Sequence, residues 1–472
     1  MSLEKVFAHR AGRWLVRYGA QLRNPEMVVR GILALVQRAN KSDKPLRMLT
    51  ISKDVFTDDV TALNRFGTEV AFDSIGIGVF KEIFNAFMPT DRITPSNKYH
   101  SDERYWDSKH AYRAFLNELV HSLKTRHGFH GLVTCNFSYV AVQELAVACR
   151  EQGFPYLVIY REGIVQPHRA ITEKLPDYKE NLFFGPVPAD RILTSNAYAA
   201  EWIGQMQADY AEEHGQSGTR RSDIVPVGLP RLDIVRADRS RADNPSELLV
   251  FGYDPKVSFS YFRELRAPAS CEGFRSAVDA IAVRHYRAVT EFSAAHPEVP
   301  VCIKTKPTSQ VARFIEHALD EAAASLKLDR RPANIRIVEN GTPTETLRNT
   351  RLAVAVNSTT VIETMLVGAR LLTPDFSAAF EPGEAWSFLH DFPRLAEPFH
   401  DVSDLERAYF EDWHPDEAYV AERERCLRFF TNGGMGDLAS PKITSIIAKC
   451  VRGSTSPGRH DEQHGEATIP DG

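Results

Sequence analysis

Four consecutive residues, Asn357-Ser358-Thr359-Thr360, stand where an apolar run (352–356) gives way to an apolar-periodic segment that ends at Gly368. All four carry short polar side chains. At a strand-to-helix junction such residues have two uses. They cap the helix by accepting from its free N–H groups. They also suit an anion seat, because those N–H groups and the positive end of the helix dipole attract phosphate. Hydroxyls would add donors, and small side chains let a ligand approach the backbone. Glu363 follows three residues after Thr360. It can close a capping box, or, one turn into the helix, accept hydrogen bonds from ribose hydroxyls. Local chemistry leaves both readings open.

Other chemistries fail on motif. No G-x-S-x-G, H-E-x-x-H, Walker G-x-x-x-x-G-K-[ST] or strand-following G-x-G-x-x-G occurs in the chain. There is no D-x-D either, the usual carboxylate pair that holds a metal against a nucleotide diphosphate. Phosphate chemistry here therefore has to use helix N-termini and basic side chains, and no metal site and no cofactor is expected. The six cysteines include no C-x-x-C pair, and Cys135 and Cys302 sit in apolar runs. They read as reduced, buried thiols of a cytosolic protein.

The elements that must position these residues follow from length and period. A chain of 472 residues exceeds one ordinary core, so two domains of roughly 200 residues are expected. Its composition, 43% hydrophobic and 25% charged, is that of a globular protein, and a net charge of -5 gives no reason to expect nucleic-acid binding. No stretch reaches the roughly 18 apolar residues of a spanning helix, and no signal-peptide core is seen, so a cytoplasmic location is expected. Residues 1–47 are the local exception, with ten Lys/Arg against three Asp/Glu. Phe7, Trp14, Leu15 and Tyr18 fall there at helical spacing. Such a basic amphipathic helix either packs on the first domain or lies on an anionic surface, in peripheral contact with the inner membrane.

Strands are expected at 46–52, 68–74, 130–137, 155–160, 191–196 and 223–228, with helices at 109–126 and 140–153. A second series has strands at 248–254, 299–307, 334–340, 352–357 and 370–376. Its helices are expected at 273–296, 308–326, 343–350 and 359–368. Strands separated by helices imply βαβ units and parallel, doubly wound sheets. The fold class is therefore α/β, two Rossmann-like domains facing a cleft, with C-terminal helices. The expected division is a basic helical segment (1–45), a first Rossmann-like domain (46–235), a linker (236–247), a second Rossmann-like domain (248–390), C-terminal helices (391–451) and a disordered tail (452–472). Helices at 403–412 and 416–431 are expected to pack back across the first domain. Ligands of such sheets sit at the carboxyl ends of the strands.

Within this frame the segment "TPTETLRNTRLAVAVNSTTVIETMLVGARLLTPDF" resembles the donor-binding part of GT-B glycosyltransferases that build bacterial surface polysaccharides. It is also similar to the corresponding part of CDP-glycerol glycerophosphotransferases. "VPVGLPRLDIV" (225–235) looks like their "G-x-P-R-x-D" stretch ahead of the interdomain linker, here Gly228, Pro230, Arg231 and Asp233. The likeness covers roughly 130–235 and 299–376. It implies a GT-B-like fold and transfer of a sugar from a nucleotide-activated donor to a surface polysaccharide or lipid-linked glycan. Asn357, Ser358, Thr359, Thr360 and Glu363 would bind the donor.

Two departures from the relatives matter. They often carry lysine-proline-histidine-proline at a strand end where this chain has "CIKTKP". Lys304 and Lys306 there can neutralise a departing diphosphate, or simply be solvated strand-end lysines. After the strand at 155–160 the phosphotransferases tend to show histidine-glycine, and this chain shows Glu162-Gly163 behind Arg161. Glu162 can act as base toward an acceptor hydroxyl, with its pKa raised by desolvation, or pair with Arg161 or Arg169. His168 is a second base candidate. Arg231 is expected to face phosphate across the cleft, and Arg161, Gly163 and Gly228 to line it. Glycerophosphate transfer and a non-catalytic assembly subunit remain the alternatives.

Overall fold

Leu46–Ser52 (β1) is buried at nearly every position, which a strand covered on both faces requires. The structure, a computed structural model, describes residues 3–39, 43–53, 56–88, 103–137, 139–161, 189–213, 222–238, 242–254, 268–305, 309–380 and 386–454. The first half adds Val70–Gly76 (β2), Gly131–Thr134 (β3), Tyr156–Tyr160 (β4), Arg191–Thr194 (β5) and Asp223–Pro226 (β6). These pair in the order β2-β1-β3-β4-β5-β6, parallel throughout. The second half comprises Glu247–Phe251 (β7), Val301–Lys304 (β8), Ile335–Val338 (β9), Thr350–Val354 (β10), Arg370–Pro374 (β11) and Glu397–Phe399 (β12). Their order is β12-β11-β10-β7-β8-β9, again all parallel. The expected fold class, two doubly wound α/β halves, is the one observed.

Each sheet reverses direction once. In the first the reversal falls between β1 and β3, in the second between β7 and β10. The crevice beyond the strand ends at such a reversal is where ligands of open α/β sheets bind.

Two helices, α1 (Leu3–Gln21) and α2 (Pro25–Leu35), precede β1 and pack antiparallel, Gly12 against Leu35 and Gly19 against Val28. Thr57–Phe66 (α3), Ile77–Phe87 (α4), Trp106–Arg126 (α5), Val140–Glu151 (α6) and Ala197–Glu213 (α7) flank the first sheet. Arg231–Ala237 (α8) closes that half and runs into the expected linker. Pro268–Ala295 (α9), Ser309–Ser325 (α10), Pro343–Leu347 (α11) and Thr359–Val367 (α12) flank the second. Helix starts follow their caps. Thr342 and Glu345 close a capping box on α11, and Asn24 caps α2 ahead of Pro25.

Three helices end the described chain: Val402–Phe410 (α13), Glu417–Thr431 (α14) and Ala439–Ser454 (α15). The first two were expected to return across the first half: α13 packs on the second half instead, while α14 touches both, with Tyr198 of α7 stacked on its Phe429 at 6.4 Å and Asn196 Nδ2 donating to the Phe430 carbonyl at 3.1 Å. Tyr409 of α13 meets Phe292 of α9 edge-on at 5.4 Å, and Leu427 and Phe430 of α14 join a core with Val361 and Leu366 of α12. Helix α15 crosses back as well. Its Ile443, Ile447 and Val451 complete a core with Val60, Leu63 and Leu157. Asp233, fully buried, holds its start by accepting from the N–H groups of Ala439 (2.9 Å) and Ser440 (2.7 Å). Among the described residues no helix is long and apolar enough to cross a membrane.

Candidate functional site

The junction after β10 is built by one unusual backbone residue. Asn357 sits at φ +26°, a left-handed conformation that asparagine tolerates better than most residues. Its amide is committed locally: Nδ2 donates to the Trp386 carbonyl at 2.7 Å, and Oδ1 accepts from the Phe388 N–H at 3.2 Å. Asn357 therefore pins the 386–388 segment against the turn. Ser358 is the N-cap of α12, and its Oγ accepts from the Thr360 N–H at a long 3.4 Å. Ser358, Thr359 and Thr360 are half-buried. No acidic side chain lies in the first turn. The Thr360 hydroxyl is buried without a hydrogen-bond partner among the described residues. Gly368, at φ +76°, ends the helix in the left-handed cap that glycine supplies.

Glu363 does not close a capping box, because the cap sits at Ser358 and the carboxylate lies too far along α12. It turns instead to Arg231, whose Nη2 is 3.7 Å from Glu363 Oε1. Burial pushes the Glu363 carboxyl above its ordinary pKa, and Arg231 opposes the shift.

Arg231 opens α8, the helix that packs against both α3 of the first half and α12 of the second. Its backbone N–H donates to Asp59 Oδ1 at 3.1 Å, and Asp59 Oδ2 accepts from Arg161 Nη1 at 3.1 Å. The Arg231 Nε and Nη2 atoms are buried with no hydrogen-bond partner among the described residues. A guanidinium carries five donors in a fixed fork that suits phosphate, so unmet donors on a buried arginine are chemically informative.

The structure adds two residues not expected from the sequence, Asp58 and Asp59 in the first turn of α3. Asp59 is buried. Asp58 is half-buried, and burial, followed by the neighbouring Asp59 charge, raises its carboxyl pKa. The polar trio Thr57-Asp58-Asp59 shortly after the first strand was the available signal, the same kind of helix opening that drew notice at 357–360.

Lys304 lies at the end of β8 with its ammonium largely spent on main chain, donating to the Thr305 (2.9 Å) and Glu339 (3.0 Å) carbonyls. Burial lowers its pKa, while Glu339, Glu345 and Glu363 favour the charged form. Gly228, expected to line the cleft, serves packing. At φ +102°, a Cβ there would stand 2.6 Å from the Thr431 carbonyl, so only glycine lets the end of α14 approach. Glu162, Gly163, His168 and Lys306 lie outside the described residues. Arg161, the neighbour of Glu162, points to Asp59. No cluster of His, Cys, Asp and Glu suited to a metal ion occurs among the described residues.

These groups form one neighbourhood. Asp58, Asp59, Arg161, Arg231 and Glu363 feel one another's charge, and they come from both halves. The opening of α12 and the opening of α3 stand at the two sheet reversals, with Arg231 between them.

No protein-family model and no curated protein matches the chain. Among solved structures it is similar to the wall teichoic acid polymerase TagF, at 9% identity and a TM-score of 0.46, over 97% of this chain and 100% of that one. It is also similar to the UDP-GlcNAc 2-epimerase from Methanocaldococcus jannaschii (10% identity, TM-score 0.44, 86% and 99% covered). A third is the UDP-GlcNAc 2-epimerase from Neisseria meningitidis bound to UDP-GlcNAc (9%, 0.41, 86% and 100%). Likeness this distant says nothing of substrate.

Proposed function

We propose that the protein is a GT-B-type glycosyltransferase that moves a sugar from a nucleotide-activated donor onto a bacterial surface polysaccharide or lipid-linked glycan, without a metal ion. The observation that carries the reading is the buried guanidinium edge of Arg231, which has Glu363 as a charge neighbour at 3.7 Å but no hydrogen bond on Nε or Nη2 among the described residues, set between the opening of α12 and the acids of the first half. A donor diphosphate on the free N–H groups of α12 would supply the missing acceptors. Ser358, Thr359 and Thr360 would donate hydroxyls, Lys304 would add positive charge, and Glu363 would accept from a ribose hydroxyl.

In the reaction the acceptor oxygen attacks the anomeric carbon and the bond to phosphate breaks. The nucleoside diphosphate leaves with the electron pair, and the hydroxyl proton passes to a carboxylate. Arg231 and the helix dipole stabilise the charge that develops on the leaving group. The base comes from the first half. Glu162 keeps that role in the proposal, and Asp58 is the rival, a half-buried carboxyl whose raised pKa suits proton abstraction. Closure of the two halves would exclude water that otherwise hydrolyses the donor.

A thermal-shift screen of nucleoside mono- and diphosphates and their sugar conjugates tests the reading, since a ligand that binds only the folded state raises Tm. Stabilisation by at least one nucleotide-sugar is expected, followed by turnover that Glu162→Gln or Asp58→Asn abolishes. Stabilisation by CDP-glycerol alone moves the reading to glycerophosphate transfer. No response to any nucleotide leaves a non-catalytic assembly subunit.

A further inference from the structure

Helix α1 buries one face and leaves the other uncovered. Its inner side meets α2 closely: a Cβ on Gly31 would stand 2.8 Å from the Gly12 carbonyl, and one on Gly19 would stand 2.9 Å from Val28 Cγ2. Val16 and Ala20 are fully buried there. The opposite side carries Phe7, Ala11, Trp14 and Tyr18, spaced four, three and four residues apart, with Leu22 just beyond the helix end. That spacing is one helical face. Phe7 is 67% exposed, Trp14 52% and Leu22 70%. The Trp14 and Tyr18 rings lie 4.7 Å apart, so the stripe is continuous. Large apolar side chains held in water along one stripe mark an interaction surface rather than chance exposure.

The charge beside the stripe selects the occupant. From Val6 to Arg23 the chain holds four arginines and no acid. Arg10 and Arg17 are exposed one turn before and one turn after Trp14, along the same edge of the stripe, while Arg13 is turned inward to Glu82. An aromatic seam edged by arginines matches the boundary of an anionic bilayer, where rings sit at headgroup level and guanidinium groups meet phosphate.

We propose that the outer face of α1 is a membrane-docking surface for anionic phospholipid, holding the protein on the bilayer as a peripheral protein. Docking uses no residue of the α12 or Arg231 neighbourhood, so it stands or falls independently of the proposed transfer reaction.

Flotation of the full chain with vesicles tests it. Wild-type protein at about 100 mM salt is expected to float with phosphatidylglycerol vesicles and to remain free with pure phosphatidylcholine. Phe7→Glu with Trp14→Glu should weaken binding at least tenfold. Arg10→Gln with Arg17→Gln should also weaken it about tenfold and flatten its salt dependence. The control is Phe410→Glu, equally exposed but on the second half, which should bind as wild type. All four changed positions on α1 are exposed, so unchanged circular dichroism and Tm are expected alongside. Equal binding to both lipids, no binding to either, or loss with Phe410→Glu overturns the proposal. So does a lipid-free dimer that the Phe7 and Trp14 changes convert to monomer, since the face would then be an interface between copies.

Discussion

The helices α3 and α12 both start beside their sheet's reversal, α3 after the first strand of its half and α12 after the fourth of its own, yet their first turns are built from opposite chemistry. α3 opens with Asp58 and Asp59. Its positive end is therefore already neutralised, and Asp59 is further tied to the Arg231 N–H and to Arg161. α12 opens with hydroxyls, carries no acid in its first turn, and has one long cap bond from Ser358. A helix end that holds carboxylates repels an incoming phosphate, whereas one that holds hydroxyls leaves its N–H groups for it. On the proposed function this difference would divide the labour: anion in the second half, carboxylate chemistry in the first, and Arg231 in contact with both.

That division can be broken from the first half. Asp59→Asn removes a charged partner of a largely buried Arg161 and weakens the link to α8. A loss of about 3–5 kcal/mol is expected, the usual cost of stripping one member from a buried ion pair, read from urea unfolding. A loss below about 1 kcal/mol would mean that Asp59 is not the anchor the geometry suggests. Next in size, Arg231→Ala should lower kcat/KM roughly a hundred- to thousandfold, about 2.7–4 kcal/mol of transition-state stabilisation. Arg231→Lys should recover little of it, because a point charge cannot replace the fork. Unchanged kinetics in the alanine variant would take Arg231 out of the site.

A smaller effect concerns pH. Burial raises the Glu363 carboxyl, so the folded protein keeps that proton to higher pH than the unfolded chain does. The folded state binds more protons in the window above the unfolded value, about 4.3, and this group's contribution to stability falls as pH rises through it. Glu363→Gln removes the dependence. Its stability advantage over wild type should grow from pH 4.5 toward neutrality, and parallel urea-midpoint curves would contradict the assignment. The smallest expected effect is none at all: EDTA should leave turnover intact, and a strict divalent requirement would count against a donor site built from Arg231 and a helix end.

The sequence revealed one side of the comparison and hid the other. β1 was expected at 46–52 and occupies Leu46–Ser52, and α12 begins at Thr359 as its cap residues indicated, because these signals are local. Asp59 owes its burial to Arg161 and Arg231, which lie 102 and 172 residues away, and no local pattern encodes those partners. The same limit hid the local partners of Asn357, whose amide binds the 386–388 segment, and of Gly228, whose missing side chain admits Thr431. It also hid Asp233 as the anchor of α15, more than 200 residues on. Spacing reported which residues open a helix. Only the fold reported what each opening faces.

The most direct test is a calorimetric titration of the best-stabilising nucleoside diphosphate into wild type and into the Ser358→Ala, Thr359→Ala double variant. The account predicts a Kd at least tenfold weaker for the variant, about 1.4 kcal/mol, with Tm in the absence of ligand nearly unchanged. Equal affinity in the two proteins would contradict it.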